Sequence, residues 1–585
     1  MKTIIILKSR HFSCLATFLI LISQCAFSQP KEKPANRTNL EVLSEMYGVI
    51  RFYDPSIGCD TMMHWEDWLL ENIPKVESAK TEKELISTLS NAFKFINPLI
   101  LVDKKGTQSR NSSINNNTCG LLVRRKNIGF GHRGENAIRM KFVYGSELIP
   151  ADSLEVFTHN VGNLQVSFPL TNCLGDTALR NEAKNRAFNV NDKLNKYSIE
   201  DRSVRLAIII EVCNVMRHFY PYAEQMKINY EAIQKQYLNK AAIIQNNIDF
   251  GILLDELSAE YKDGHAAFMP FVKFIDWPDY VPEVGVKNFD NKLYVSYTSD
   301  SLKSFIKIGD EIVKVNQQNA HQFFKQKQKR VSGATEGWIE FLSEKELLMG
   351  TKNTLVNLEL MRDGKVYQIA LPRTLKVDAN QKNIAKRPDF IELKSGYYYV
   401  NLFAINDSVL SHITNNYLFN AKGIVFDTRG YPRAKITDLF SHMSSDTLFS
   451  ITYLVPYKLS PSSPILYHQL DRWKIAPQTP KLTSNIVFII DGRCISAAEG
   501  YLAIVEHYKL GKLVGQNTAG TNGNINSFQV FGLYQLWYTN MYIPTYNGQC
   551  FQGLGIKPQT QVTSSLADLI NGKDPFIEAA IKELD

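Results

Sequence analysis

The 585-residue chain is most informative at first for what it lacks. Its eight cysteines form no C-x-x-C pair, which excludes a zinc module and a dense disulfide framework. Past the first thirty residues no stretch approaches the roughly 20 apolar residues of a membrane span. Lysine and arginine never cluster into a block, so the formal charge of +8 does not make a nucleic-acid surface. With 44% hydrophobic and 21% charged residues the composition is that of a globular protein, and the length calls for several domains.

What is present begins with a leader. Lys2, Lys8 and Arg10 flank an apolar stretch over 12–22, and Ala26-Phe27-Ser28 supplies small residues before Gln29. That is the pattern of a secretory signal over 1–28, so the chain is expected to be exported, to a periplasm or outside the cell. The alternative is a lipoprotein anchored at Cys25, but Gln24 stands where a small residue is wanted.

An internal repeat organises the first half. "LEVLSEMYGVIRFYDPS" at 40–56 matches "LAIIIEVCNVMRHFYPY" at 206–222, with Glu45 answering Glu211 and Arg51 answering Arg217. Both have helical apolar spacing and end at proline, and further amphipathic helices follow each. The copies then diverge, since the second runs into "KDGHAAF" and places His265 where the first has Ile100. The copies are assigned to 29–105 and 201–271, and a small β-rich domain to 106–200, where the loop 111–118 is Asn- and Ser-rich.

Residues 272–376 form a further β-rich unit. A Gly309-Asp310 turn enters a strand, and "VNLELMRDGKVYQIAL" is a hairpin turning at Asp363-Gly364. This resembles a PDZ domain, which binds extended peptide ends at a sheet edge, with 321–350 as an insertion. From 377 to 585 apolar strands alternate with helices, which predicts a mostly parallel α/β core covered on both faces.

Ser496 follows the strand at 486–490 and opens a helix. A serine there serves equally as a helix N-cap. It serves as a nucleophile if a base lies nearby, with the Ala497 N–H donating to an oxyanion. His265, in its tight Asp-Gly-His turn, is the candidate base, while His218 and His507 read as surface or capping residues.

Five ordered motifs carry a specific resemblance: "YKDGHAAF", "GIVFDTRGYP", "FIIDGRCISAAEG", "KLVGQNTAGTNG" and "FQGLGIKPQTQV". Together they resemble the C-terminal-processing serine peptidases, the group of tail-specific proteases and the tricorn core, over about 201–570. The resemblance implies a crotonase-like α/β spiral, peptide-bond hydrolysis without metal or other cofactor, and Ser496 as nucleophile. Thr521 stands where one branch has its lysine, so His265 is implied as base, as in the tricorn-like branch. The acid of that branch falls at Gln552, and the glycine-rich oxyanion turn is reduced to Gly430 followed by Tyr431, Pro432 and Arg433, of which Tyr431 and Arg433 are expected to crowd the cleft. The expected activity is an exported endopeptidase acting on peptides or unfolded protein ends, held by their C-terminus. The alternatives are an idle relative that binds peptides or apolar ligands, and a carbohydrate or adhesion role for 106–200.

Overall fold

The computed structural model describes residues 37–55, 65–107, 122–124, 132–133, 156–173, 196–270, 278–384 and 387–584. The leader, Cys25 and the 111–118 loop lie outside the described residues. Among these residues no helix is long and apolar enough to cross a membrane.

The two repeat copies fold as helices that pack on each other. Thr38 and Glu41 form a capping box at the start of Asn39–Tyr53, and Asp201 caps Arg202–Phe219 by accepting from the Ser203 N–H. Arg51 of the first copy pairs with Glu211 of the second at 3.1 Å, and Arg217 of the second pairs with Glu45 of the first at 3.5 Å. The repeat therefore forms a pseudo-twofold pair, in which equivalent residues make reciprocal contacts. At the crossing point Gly48 faces its own counterpart, Asn214, whose side-chain amide a Gly48 Cβ would strike. Only glycine lets the helices approach this far. Buried charges at these positions are tolerated because each finds an opposite charge.

Both copies share one hydrophobic core with the hairpin Val156–Val161 and Leu164–Pro169 and with the strands Ile525–Val530 and Tyr534–Thr539. Ile100 closes the first copy as a fully buried core residue before Leu101–Lys104. The second copy closes with the His265 turn before Ala267–Pro270, which pairs with Tyr534–Thr539.

The next unit is a five-strand antiparallel path, in the order 365–372, 355–362, 311–315, 292–298, 284–289, around its own core. The expected hairpin is present, with Asp363 and Gly364 at φ 50° and 75°. Asp310 is buried under a two-bond grip by Arg362, which fixes the Gly-Asp turn. The stretch expected as an insertion instead supplies two helices, Ala320–Gln328 and Glu336–Glu346. Phe324, Leu347 and Leu348 enter the unit's core, so this segment is integral to it.

The last unit has a six-strand sheet, Phe390–Lys394 antiparallel at one edge and then Tyr397–Asn401, Gly423–Asp427, Asn485–Ile490, Lys512–Gly515 and Thr560–Gln561 in parallel. Val400, Phe426 and Phe488 face the helix Ala497–Tyr508, while Val425, Val487 and Ile489 face Pro575–Leu584. With both faces covered, these strands read as continuous apolar runs.

Candidate active site

Ser496 stands where the central parallel strand Asn485–Ile490 gives way to its helix, and its backbone is unusual. It has φ 59° and ψ −117°, a region that suits glycine and costs a side-chain-bearing residue roughly 1–3 kcal/mol. Its hydroxyl makes no capping hydrogen bond. The usual benefit of a serine at a helix start is therefore absent, although the strain is present. The half-buried hydroxyl is left free for other use.

Glu499 organises the surroundings instead. Its carboxylate, buried in the first turn, accepts from the Gly520 N–H at 2.7 Å, the Thr521 N–H at 2.9 Å and the Thr518 hydroxyl at 2.5 Å. Burial pushes this carboxyl up to about 8, against hydrogen bonds that pull it down. The loop 518–521 is thereby tied to the helix that begins at Ser496.

The histidine turn docks on the same loop. The Thr521 carbonyl accepts from the Ser496 N–H at 2.9 Å, while its hydroxyl accepts from the Gly264 N–H at 3.1 Å. A Cβ on Gly264 would come within 2.9 Å of both Ile495 Cδ1 and Thr521 Oγ1. Glycine at 264 is what allows the turn to touch the residue before Ser496. Ser332, from the β unit, accepts from the Asp263 N–H and donates to the Ser258 carbonyl, and Thr335 donates to the carbonyls of Thr518 and Ala519.

His265 is 8% exposed, and its ring is held from one side. Thr539 Oγ1 lies 2.9 Å from Nδ1 and donates its own hydrogen to Asp263 Oδ1 at 2.7 Å. A hydroxyl that has given its hydrogen to a carboxylate can only accept from the ring, so Nδ1 carries the proton and Nε2 keeps a bare lone pair. Nε2 is buried and has no hydrogen-bond partner. Asp263 is fixed by the Thr539 N–H at 2.7 Å and the His265 N–H at 3.0 Å. Burial lowers the imidazole below its ordinary range, with the Asp263 charge acting in the opposite direction. A neutral histidine with a bare Nε2 is the protonation state that a general base requires.

The remaining candidates lie around this centre. The Ala497 N–H occupies the first helical position, where no intrahelical acceptor exists, and the helix start is partly positive. Gly430 has φ 136°, and a Cβ there would strike the Phe403 ring. Its turn is joined to the serine loop through Cys494, whose Sγ–H donates to the Thr428 carbonyl at 2.9 Å. Burial raises that thiol to about 12, so it is a structural link and not a nucleophile. Tyr431 is 52% exposed and Arg433 is also exposed. Gln552 does not hydrogen-bond to the His265 ring: its Nε2 donates to the Lys262 carbonyl at 3.1 Å and weakly to Thr521 Oγ1 at 3.4 Å.

Residues 396–562, which include Ser496, Gly430 and Gln552, match peptidase family S41. Over these residues the chain resembles the serine-type peptidases of that family. Solved structures of mature CPAF share its fold: the complex with lactacystin has a TM-score of 0.51 at 11% identity, covering 65% of this chain and 97% of that one. Mature CPAF alone gives a TM-score of 0.50 at 11% identity, covering 65% and 96%. The photosystem II D1 C-terminal processing protease aligns more loosely, with a TM-score of 0.35 at 14% identity, over 63% and 96%. No protein among the curated sequences matches the chain.

Two members of the histidine's hydrogen-bond chain escaped the sequence reading. Asp263 carried a signal, standing two residues before His265, but it read as a turn former. Thr539 carried none, because 274 residues separate it from the ring it touches.

Proposed function

We propose that the chain is an exported serine endopeptidase with Ser496 as nucleophile and His265 as general base. The observation that carries this reading is a serine held at glycine-like backbone angles with its hydroxyl unused, next to a turn whose buried histidine has an unpartnered Nε2. His265 Nε2 takes the Ser496 hydroxyl proton as the oxygen attacks a peptide carbonyl. The Ala497 N–H receives the oxyanion, whereas the expected donor beside Gly430 is already engaged: the Thr428 N–H donates to the Ile489 carbonyl, the Arg429 N–H to Asp427 Oδ1 and the Gly430 N–H to Cys494 Sγ. The imidazolium then gives its proton to the leaving amine, and water hydrolyses the acyl ester by the same exchange.

Asp263 orients the ring through the Thr539 hydroxyl, in the place where a direct acid was expected at Gln552. The carboxylate is one hydrogen bond removed, so its charge stabilises the imidazolium less than direct contact would. The alternative of an idle binder rests on the neutral Gln552 and on the altered glycine turn at Gly430, and this chain of hydrogen bonds answers the first by giving the imidazole an acid-backed partner.

The substrates are peptides or unfolded protein ends, and the PDZ-like unit receives them. Its edge strand Val284–Phe289 and the helix Glu336–Glu346 line a cleft of about 840 Å³. Two edge groups are already engaged, since Glu344 accepts from the Asn288 N–H at 2.8 Å and Asn380 donates to the Val284 carbonyl at 3.0 Å. Strand addition along this edge displaces both side chains. Casein cleavage by the wild type and its loss in Ser496→Ala test the reading; equal turnover by both would remove it.

A further inference from the structure

We propose that the small cavity between Tyr220, Lys458 and Asn540 is a substrate subsite that takes a carboxylate, with Lys458 setting the preference. This inference rests on the peptidase reading above and deepens it.

The cavity has a volume of about 20 Å³. That is room for a water or for a carboxylate head, but not for an aromatic ring. Pro221 and Pro456 contribute apolar wall, which lowers the local dielectric and strengthens any charge pair formed inside. Asn540 directly follows Thr539, the residue that holds the His265 ring, and the Tyr220 hydroxyl is raised well above its ordinary range by burial first and by the Asp263 charge second.

Four polar groups line it without partners, one of them the buried Nε2 of His218. Asn540 is 2% exposed with an unmatched Oδ1, and Tyr220 is 3% exposed with an unmatched hydroxyl. Such buried orphans are rare, and each destabilises the fold until a ligand or water satisfies it. Lys458 is half-buried, and among the described residues it has no ion pair or hydrogen bond. Burial accordingly lowers its ammonium. By contrast, Lys287, Arg429 and Arg493 all pair with carboxylates.

These groups define the ligand. An ammonium with three donors can satisfy Asn540 Oδ1 with one and grip a carboxylate with the others, while the Tyr220 hydroxyl donates to the second oxygen. One positive charge and the small volume suit a carboxylate better than a bulkier, doubly charged phosphate. The carboxylate comes from an acidic side chain of the substrate or from its C-terminus.

The test measures cleavage of peptide sets by the full chain. Glu replaces Gln at one position at a time, and each peptide is made with a free or amidated end. The expected result is a preference of about ten-fold or more for Glu at one position, or for the free end, which identifies the source. Lys458→Met should bring the favoured peptide down to the rate of its neutral counterpart, and Lys458→Glu should turn the preference towards Lys. Thermal melts check that both variants are folded. A wild type without any carboxylate preference, or a preference that survives Lys458→Met, overturns the subsite and leaves the cavity to a structural water. Labelling by a serine-reactive phosphonate separates the two levels. Labelling of Ser496 without a carboxylate preference removes the subsite alone, whereas absence of both labelling and cleavage removes the peptidase reading and the subsite with it.

Discussion

The two helical copies have the same build but different ends. In the first, Ile100 fills the core, while in the second the equivalent place carries an imidazole with a carboxylate-backed hydroxyl behind it. The pairing of Arg51 with Glu211 and Arg217 with Glu45 gives the first helices of the two copies reciprocal contacts. On the proposed mechanism the chemistry therefore does not come from the helical unit itself. It comes from what the second copy docks against: the Thr521 loop, the Ser332 hydroxyl and the end of the strand Tyr534–Thr539. A duplicated scaffold acquires a site where a partner domain supplies the missing contacts.

The largest effect expected in breaking this comparison is at the two reacting groups. Ser496→Ala and His265→Ala should each reduce kcat by about four orders of magnitude or more, and the double variant little further, because residues acting as a unit are non-additive. Asp263→Asn should cost roughly 10²–10³ in kcat/KM, less than loss of a directly bonded acid, since the carboxylate acts through Thr539. Its pH profile gives a second readout. On the proposed mechanism activity requires neutral His265, so it should rise with pH through a midpoint below the ordinary 6.5. The Asp263 charge raises that midpoint, and Asp263→Asn should therefore move the acid limb to still lower pH even as the plateau falls.

Thr539→Val sharpens the comparison by cutting the relay while keeping shape, with an expected loss of about 10²-fold in kcat and little change in KM. Ile100→His tests the other copy. It should destabilise the fold by about 2–4 kcal/mol in denaturant titration, because a buried imidazole there has no partner, and it should add no activity. The smallest effect is expected at Gln552→Ala, a change in kcat/KM of less than about ten-fold, since its amide bonds to Lys262 and Thr521 and not to the ring.

The parts legible in the sequence are those written in local pattern. Helical spacing gave the repeat, continuous apolar runs gave the parallel strands, and Asp363-Gly364 gave the hairpin. The 321–350 stretch misled because its polar helices show few core contacts in sequence, although Phe324, Leu347 and Leu348 complete the β unit. The positive φ of Ser496 left no trace, because serine is an ordinary residue at helix starts. Glu499 likewise resembled a first-turn acid, and its grip on the 518–521 loop emerges only when distant segments meet. Thr539 shows the limit most clearly, since a threonine at a strand end signals nothing until the imidazole is beside it.

Mass-spectrometric mapping of a serine-reactive phosphonate adduct is the most direct test of the central claim. The account predicts one label per chain, on Ser496, formed at a rate that collapses in His265→Ala. A label elsewhere, or an unchanged rate at Ser496 without the imidazole, would contradict it.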